Sequence, residues 1–416
     1  MLEAHVSHNH APALFGTDAH EMLRGTDVDQ HDGQAMTAEL FWKFFGALTA
    51  SALLVWLTLR VSVHTNTGLD GPGTGRKLHV APTPRVGGIG IIIAWAATLA
   101  VLKRLGYPID LALLLLVSVL PVFIAGAVED LTGRVGVSMR YCSAIFAAGL
   151  GFAMTGARLH RVDLPLIDSA LAIPAVSLLF SMFATAGIAH AMNLIDGCNG
   201  LCGISSVIGF AGIWLVAGLV GDHDVAAAAA IATGLWSGFL LLNFPKGRIF
   251  LGDGGAYTAG FVLAQLSILL VTRNPSVSAW FPCLLLLYPI WETLFTVYRR
   301  ISLQGVSLTR PDSLHLHQLV YRRVIRLRSA DGRAGNAWVR SSITTIFMVG
   351  ILLLPAVPAL LFWNRTGVLL GCAGAYVVFH NLFYARLTRF RSPFILSLPW
   401  LAGRAPAVPE NVLDES

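Results

Sequence analysis

Residues 111–130 read LALLLLVSVLPVFIAGAVED. Positions 111–128 hold no charged side chain, and then two carboxylates, Glu129 and Asp130, arrive together. A helix needs about 20 mainly apolar residues to cross a bilayer, so this stretch reads as a span that stops at a polar boundary. Working outward, about eleven runs of this kind can be marked. They lie near 40–61, 87–102, 111–128, 137–154, 170–189, 204–220, 225–242, 256–271, 280–297, 343–362 and 368–384. The runs are continuous rather than alternating, and a membrane barrel alternates. The expected fold is all-α: a polytopic membrane protein of about eleven transmembrane helices.

The gaps between these runs are unusual. Five of them read KLHVAPTPRVGG (77–88), EDLTGR (129–134), NLIDGCNG (193–200), FPKGRIFLGDGG (244–255) and RPDSLHLHQ (310–318). They hold carboxylates, amides, histidines and glycines, and each falls in every second gap. In a multi-span chain all five therefore face one side, and a polar reaction site at one membrane surface is expected there. Of the 29 Lys and Arg, 21 lie in or beside that set of gaps and the C-terminal tail, against 8 on the other side. The positive-inside rule makes the motif side cytoplasmic.

Only 12% of the 416 residues are charged and 55% are hydrophobic, whereas soluble domains carry roughly a quarter charged residues. The net charge of +6 does not point to nucleic acid, because the arginines flank membrane spans, where topology and anionic lipid account for them. The five cysteines lie in or beside apolar runs; Cys198 and Cys202 lack zinc-site partners and read as buried small hydrophobes. Residues 1–38 form a polar, His-punctuated stretch without periodicity, expected to be a disordered tail. Residues 39–386 form the membrane domain, with a cytoplasmic loop at 302–339 that carries HLHQ, and residues 387–416 form a second tail. Within the loop, residues 314–327 have helical apolar spacing with interleaved Arg, which suits a helix lying on the membrane surface.

Each gap offers a chemistry and a blander alternative. Arg76, Lys77, His79 and Arg85 could clamp phosphate oxygens or simply set topology. Glu129 and Asp130 end a helix where the dipole is already negative, so a cation, or Arg134 and Arg140, should compensate them. Asn193, Asp196 and Asn199 supply oxygen donors suited to Mg²⁺, or turn chemistry. Asp253 lies where a helix N-terminus could hold a phosphate; it is a metal ligand, an N-cap, or both. His315 and His317, two apart, share a side only in an extended or turn segment, where both could donate to a diphosphate. Glu292, ionisable within a span, either faces the site or braces its end.

Taken in order and on one face, the five strings resemble the polyprenyl-phosphate N-acetylhexosamine-1-phosphate transferase superfamily. The resemblance runs from Arg76 to His317 and implies Mg²⁺-dependent transfer, with Mn²⁺ as a substitute, from a UDP-N-acetylhexosamine to undecaprenyl or a related polyprenyl phosphate. It implies that Asp253 is the principal Mg²⁺ ligand, assisted by Asn193. Glu129 and Asp130 occupy the family's acidic pair, and Asp196 the acidic position of its NxxDG string. Lys77 resembles its phosphate-contacting lysine, and His315 and His317 two members of its histidine motif. Asn199 stands where the dolichyl branch has Asn near uracil. Arg85 and Arg310 join the substrate-binding group, although Arg310 is not at the motif's usual Arg position. Glu129 in place of Asp and Gln318 in place of a later His are departures that point to a subgroup with a different sugar. The implied setting is a bacterial inner membrane with the site facing the cytoplasm, in contact with membrane lipids, and a homodimer is compatible with it. The rival class is a multi-span lipid or sugar flippase, whose ionisable groups would sit at the bilayer midplane.

Overall fold

The computed structural model describes residues 18–70, 82–305, 312–325 and 337–389. The helices are α1 Asp18–Thr65, α2 Gly87–Arg104, α3 Asp110–Thr132, α4 Val137–Thr155, α5 Pro165–Leu171, α6 Pro174–Ile195 and α7 Leu201–Leu219. They continue with α8 His223–Asn243, α9 Gly252–Arg273, α10 Trp280–Leu285, α11 Leu287–Tyr298, α12 Leu316–Val320, α13 Ala337–Leu361 and α14 Thr366–Thr388. A two-residue antiparallel ladder pairs β1 Leu69–Asp70 with β2 Thr83–Pro84. The helix that carries the first span starts at Asp18, inside the polar stretch that precedes it in the sequence.

Among the described residues ten helices are long and apolar enough to cross a membrane. The remaining expected span, 280–297, is present as α10 and α11, broken between Leu285 and Leu287. Pro289 accounts for the break: its ring clashes with the carbonyl four residues back, that of Leu285, and it offers no N–H to it. The all-α polytopic architecture is therefore the one observed. Its outer surface is apolar, with Phe146, Leu179 and Leu241 each more than 60% exposed, as expected of side chains that face lipid.

The centre of the bundle is α9, whose apolar window is entirely buried. Helices approach it closely because small residues line the contacts. A methyl group at Gly126 of α3 would lie 2.6 Å from the Gly254 backbone, and one at Gly260 of α9 would lie 2.5 Å from Ala189 of α6. Deeper in, the Gln265 amide donates to Thr185 Oγ1 at 3.2 Å. At one edge α1 packs along α8, and Ser51 Oγ donates to the Leu235 carbonyl at 2.6 Å. The N-terminus of α9 carries Asp253, so the most enclosed helix in the fold delivers a carboxylate to the motif end of the bundle.

The segment after α11 departs from expectation. Instead of lying on a membrane surface, α12 and the π-helical turn Tyr321–Ile325 bury Leu316, Leu319, Val320 and Val324 against the protein. Their apolar side faces α13 and α14, which offer the same hydrophobic burial that a lipid surface would. The cysteines divide as well: Cys198 and Cys202 are buried, but Cys142 and Cys283 are exposed.

Candidate active site

The motif loops meet at one end of the bundle and are stitched together mainly through backbone. Gly87 and Gly88 N–H groups donate to the carbonyls of Phe250 and Leu251 at 3.0 and 2.9 Å, and Phe250 N–H donates to the Pro84 carbonyl at 2.8 Å. The PTPRVGG and FLGDGG strings thus form one unit. Across it lies Asp130 at the end of α3. Its Oδ1 accepts from Asp253 N–H at 2.9 Å and its Oδ2 from Gly254 N–H at 3.0 Å.

Asp253 is therefore not the N-cap of α9. Asp130, from another helix, satisfies two of the first-turn N–H groups that α9 leaves open, and the carboxylate favours the positive end of the helix dipole. Gly252 makes room for this. It has φ +76°, and a methyl group there would sit 2.5 Å from Asp130 Oδ2 and 2.6 Å from the Arg85 carbonyl.

The compensating cations differ from those expected. Arg140, at the start of α4, pairs with Asp253 rather than with the acidic pair. Arg85 Nε is 4.0 Å from Asp130 Oδ1. Glu129 Oε2 accepts from Val135 N–H at 2.7 Å, which turns this carboxylate towards the short loop ahead of α4.

Asp196 ends α6 and lies in the field of the same group. Burial pushes its carboxyl up to about 7, with Arg85 opposing and Asp253 and Asp130 adding to the rise. Asn193 is in the last turn of α6 and half-buried. Asn199 anchors loops: its amide donates to the Pro245 carbonyl at 3.1 Å, and its carbonyl accepts from Thr345 Oγ1 at 2.8 Å. His317 is 1% exposed, and neither ring nitrogen has a hydrogen-bond partner. Its Nε2 lies against Gly197, next to Asp196, where any Cβ would collide with it. Burial, with His315 adding, lowers His317 to about 3, so the ring is neutral. His315 faces away, with Nδ1 3.3 Å from Glu292 Oε1. The two rings are nevertheless parallel within 10°, with centroids 5.8 Å apart, as an extended residue ahead of a helix start allows.

The profile of the family described as glycosyl transferase family 4 matches residues 112–271, the stretch from α3 to α9 that holds Asp130, Asp196 and Asp253. The chain is 27% identical to a probable undecaprenyl-phosphate N-acetylglucosaminyl 1-phosphate transferase of Bacillus subtilis, over 66% of this chain and 75% of that protein. It is 28% identical to a decaprenyl-phosphate N-acetylglucosaminephosphotransferase of Mycobacterium leprae, over 69% and 83%. It is 26% identical to the undecaprenyl-phosphate alpha-N-acetylglucosaminyl 1-phosphate transferase of Escherichia coli K12, over 64% and 73%. The chain is thus similar to glycosyl transferase family 4 across residues 112–271.

The site is thus assembled from four of the five loops by direct contact, and the histidine string closes it through His317. Lys77 and Arg310 lie outside the described residues. Among the described residues no three His, Cys, Asp or Glu side chains gather as a metal cage. That does not exclude the smaller donor set, because Mg²⁺ is held through one or two carboxylates plus waters and substrate phosphates. Asp253 and the Asn193 amide are oxygen donors of this type, and Arg140 beside Asp253 shows a carboxylate already matched to positive charge.

Sequence reasoning missed three side chains that shape the site. Asn243 donates to the Ile249 carbonyl at 2.6 Å and shapes the loop into α9. His380, fully buried in α14, donates towards Glu292; an ionisable residue inside a span was the available signal. Asp312 binds Arg299 and lies 4.0 Å from Arg300, so these two buried arginines hold the histidine string instead of contacting lipid. That pairing with Arg299 holds the Asp312 carboxyl below its usual range despite burial.

Proposed function

We propose that the chain transfers an N-acetylhexosamine 1-phosphate from a UDP-sugar to undecaprenyl or a related polyprenyl phosphate, releases UMP, and so starts a lipid-linked glycan such as O-antigen, capsule or exopolysaccharide. The observation that carries this reading is the Asp130–Asp253 junction. Two carboxylates meet at the N-terminus of the most buried helix, with Asp196, Arg85 and Arg140 around them. The positive end of the α9 dipole, with Arg85 and Arg140 beside it, favours an anionic ligand such as a phosphate at this junction. The setting suits the substrates as well: a lipid phosphate arrives from the bilayer and a nucleotide sugar from the cytosol. A site at the span–loop boundary on the Lys- and Arg-rich side meets both.

An oxygen of the lipid phosphate attacks the β-phosphorus of the UDP-sugar. The bond from that phosphorus to the bridging oxygen breaks, and UMP leaves with the oxygen. Asp253 with the Asn193 amide would hold Mg²⁺, which when bound offsets charge on the diphosphate and the leaving phosphate. Arg85 and Lys77 position phosphate oxygens as charge-assisted donors. Asp130 keeps α9 in place, because both its oxygens are taken by backbone N–H groups. Asp196, raised to about 7, has the proton affinity of a base that works near neutral pH and takes the acceptor's proton when the lipid phosphate arrives as the monoanion. Neutral His317, with two unpartnered ring nitrogens beside Asp196, donates one hydrogen bond to the donor substrate.

The test is UMP release from UDP-GlcNAc and undecaprenyl phosphate with the full-length chain in membranes. Asp253→Asn is expected to reduce the rate at least about 100-fold, as loss of a group that stabilises transition-state charge does. Turnover in that variant equal to wild type would refute the assignment.

A further inference from the structure

The histidine string is held by a group far away in the chain. Glu292 in α11 is fully buried. Its Oε1 accepts from Leu316 N–H at 3.0 Å and lies 3.3 Å from His315 Nδ1. Its Oε2 lies 3.1 Å from Nε2 of His380 in α14, which is also fully buried. The ring of His380 is boxed by Phe295, Tyr376 and Tyr384, with centroids 5.7, 6.2 and 6.5 Å away. Its orientation is therefore fixed, with Nε2–H aimed at the carboxylate.

A carboxylate taken out of water needs every oxygen satisfied. Here one oxygen is committed to the histidine string and the other to α14. The link is specific to this pair: the neighbouring contact between the same helices, Trp291 Nε1 to Asn381 Oδ1 at 3.2 Å, does not touch the string.

We infer that His380 is a positioning residue, which fixes Glu292 and through it places His315 and Leu316 so that His317 rests against Gly197 beside Asp196. The pair lies outside the stretch matched by the family 4 profile. The inference rests on the proposed transferase reading for its effect on rate, but not for its effect on structure.

The test uses the full-length protein in nanodiscs with two readouts. The first is hydrogen–deuterium exchange of the peptide spanning 313–320, which reports the Leu316 N–H directly. The second is steady-state UMP release with UDP-GlcNAc and undecaprenyl phosphate. His380→Ala is expected to speed exchange of that peptide and to lower kcat about 10- to 100-fold, as misplacement by about 1 Å does, with the KM for the lipid phosphate unchanged. His380→Gln keeps an N–H at the position of Nε2 and is expected to restore both readouts to within about fivefold. Asn381→Ala, which breaks only the neighbouring bridge, should leave the exchange of 313–320 as in wild type. Unchanged exchange in His380→Ala, no recovery in His380→Gln, or equal loosening in Asn381→Ala would each overturn the inference. If the wild-type protein released no UMP, the transferase reading would fail while the exchange comparison still decided the brace.

Discussion

Gly252→Ala should damage the site far more than its size suggests, and the structure separates the reasons. Residue 252 has φ +76°, where an L-residue with a Cβ loses about 1–2 kcal/mol. The added methyl would also lie 2.5 Å from Asp130 Oδ2 and 2.6 Å from the Arg85 carbonyl. The carbonyl belongs to the stitched PTPRVGG segment, so the carboxylate is the group that yields. Displacing it forfeits at least one charge-assisted hydrogen bond to the first turn of α9, worth about 1.5–3 kcal/mol. The two effects together reach roughly 2.5–5 kcal/mol. Gly156 supplies the control. It closes α4 on the opposite face with φ +74° and has nothing within 4 Å of an added methyl, so Gly156→Ala carries the backbone term alone. Both variants are compared with wild type by thermal unfolding in nanodiscs and by UMP release. Gly252→Ala should be the less stable by about 1.5–3 kcal/mol and nearly inactive, while Gly156→Ala keeps its activity. Equal stability and equal turnover of the two variants would show that the Asp130 cap neither holds α9 nor shapes the site.

Three further outcomes follow from the charges around Asp253. Because the Asp196 carboxyl is raised to about 7, it stays protonated through mildly acidic pH, and the transfer rate should climb as pH passes through 7; Asp196→Asn should flatten that limb. The same shift makes folding stability fall as pH rises from the ordinary aspartate range through about 7, because the unfolded chain gives up the proton more readily, and Asp196→Asn should reduce that slope in a pH series of thermal unfolding. Arg140→Ala removes the guanidinium paired with Asp253, so the Mg²⁺ concentration giving half-maximal rate should drop severalfold; an unchanged Mg²⁺ titration would mean that Arg140 does not compete for the carboxylate.

What the sequence disclosed, and what it did not, divides along physical lines. The spans were readable because a run such as 111–128 has one explanation in length and polarity, and all-α architecture followed from it. Span 280–297 was readable as a segment, but its break required noticing that Pro289 acts on the carbonyl of Leu285. The alternation of polar gaps placed the motif loops at one end, and the contacts among Arg85, Asp130 and Asp253 agree. Pairing was not readable. Arg140 is ten residues from Asp130 and 113 from Asp253 in sequence, yet helix packing brings it to the latter. The basic loop misled for a related reason: apolar spacing at 314–327 does not tell a lipid surface from a protein one, because both bury the same side chains. Asp312, which turns two of the arginines inwards, is a single unremarkable residue in the string.

The site is held in two different ways, and this bears on how it works. Where phosphate chemistry is proposed, α2, α3 and α9 meet through glycines and backbone hydrogen bonds, an arrangement that leaves few side-chain rotamers to adjust. The histidine string has no such packing at its start. Besides the burial of Leu316, it is held by polar contacts: Asp312 on Arg299, Leu316 N–H on Glu292, and half-buried Arg323 on the Leu387 and Thr388 carbonyls at the end of α14. Removing one partner of a buried ion pair strands the other charge at a cost of about 3–5 kcal/mol, so Asp312→Ala, which strands Arg299, should speed hydrogen exchange of 313–320; exchange equal to wild type would show that the pair does not hold the string.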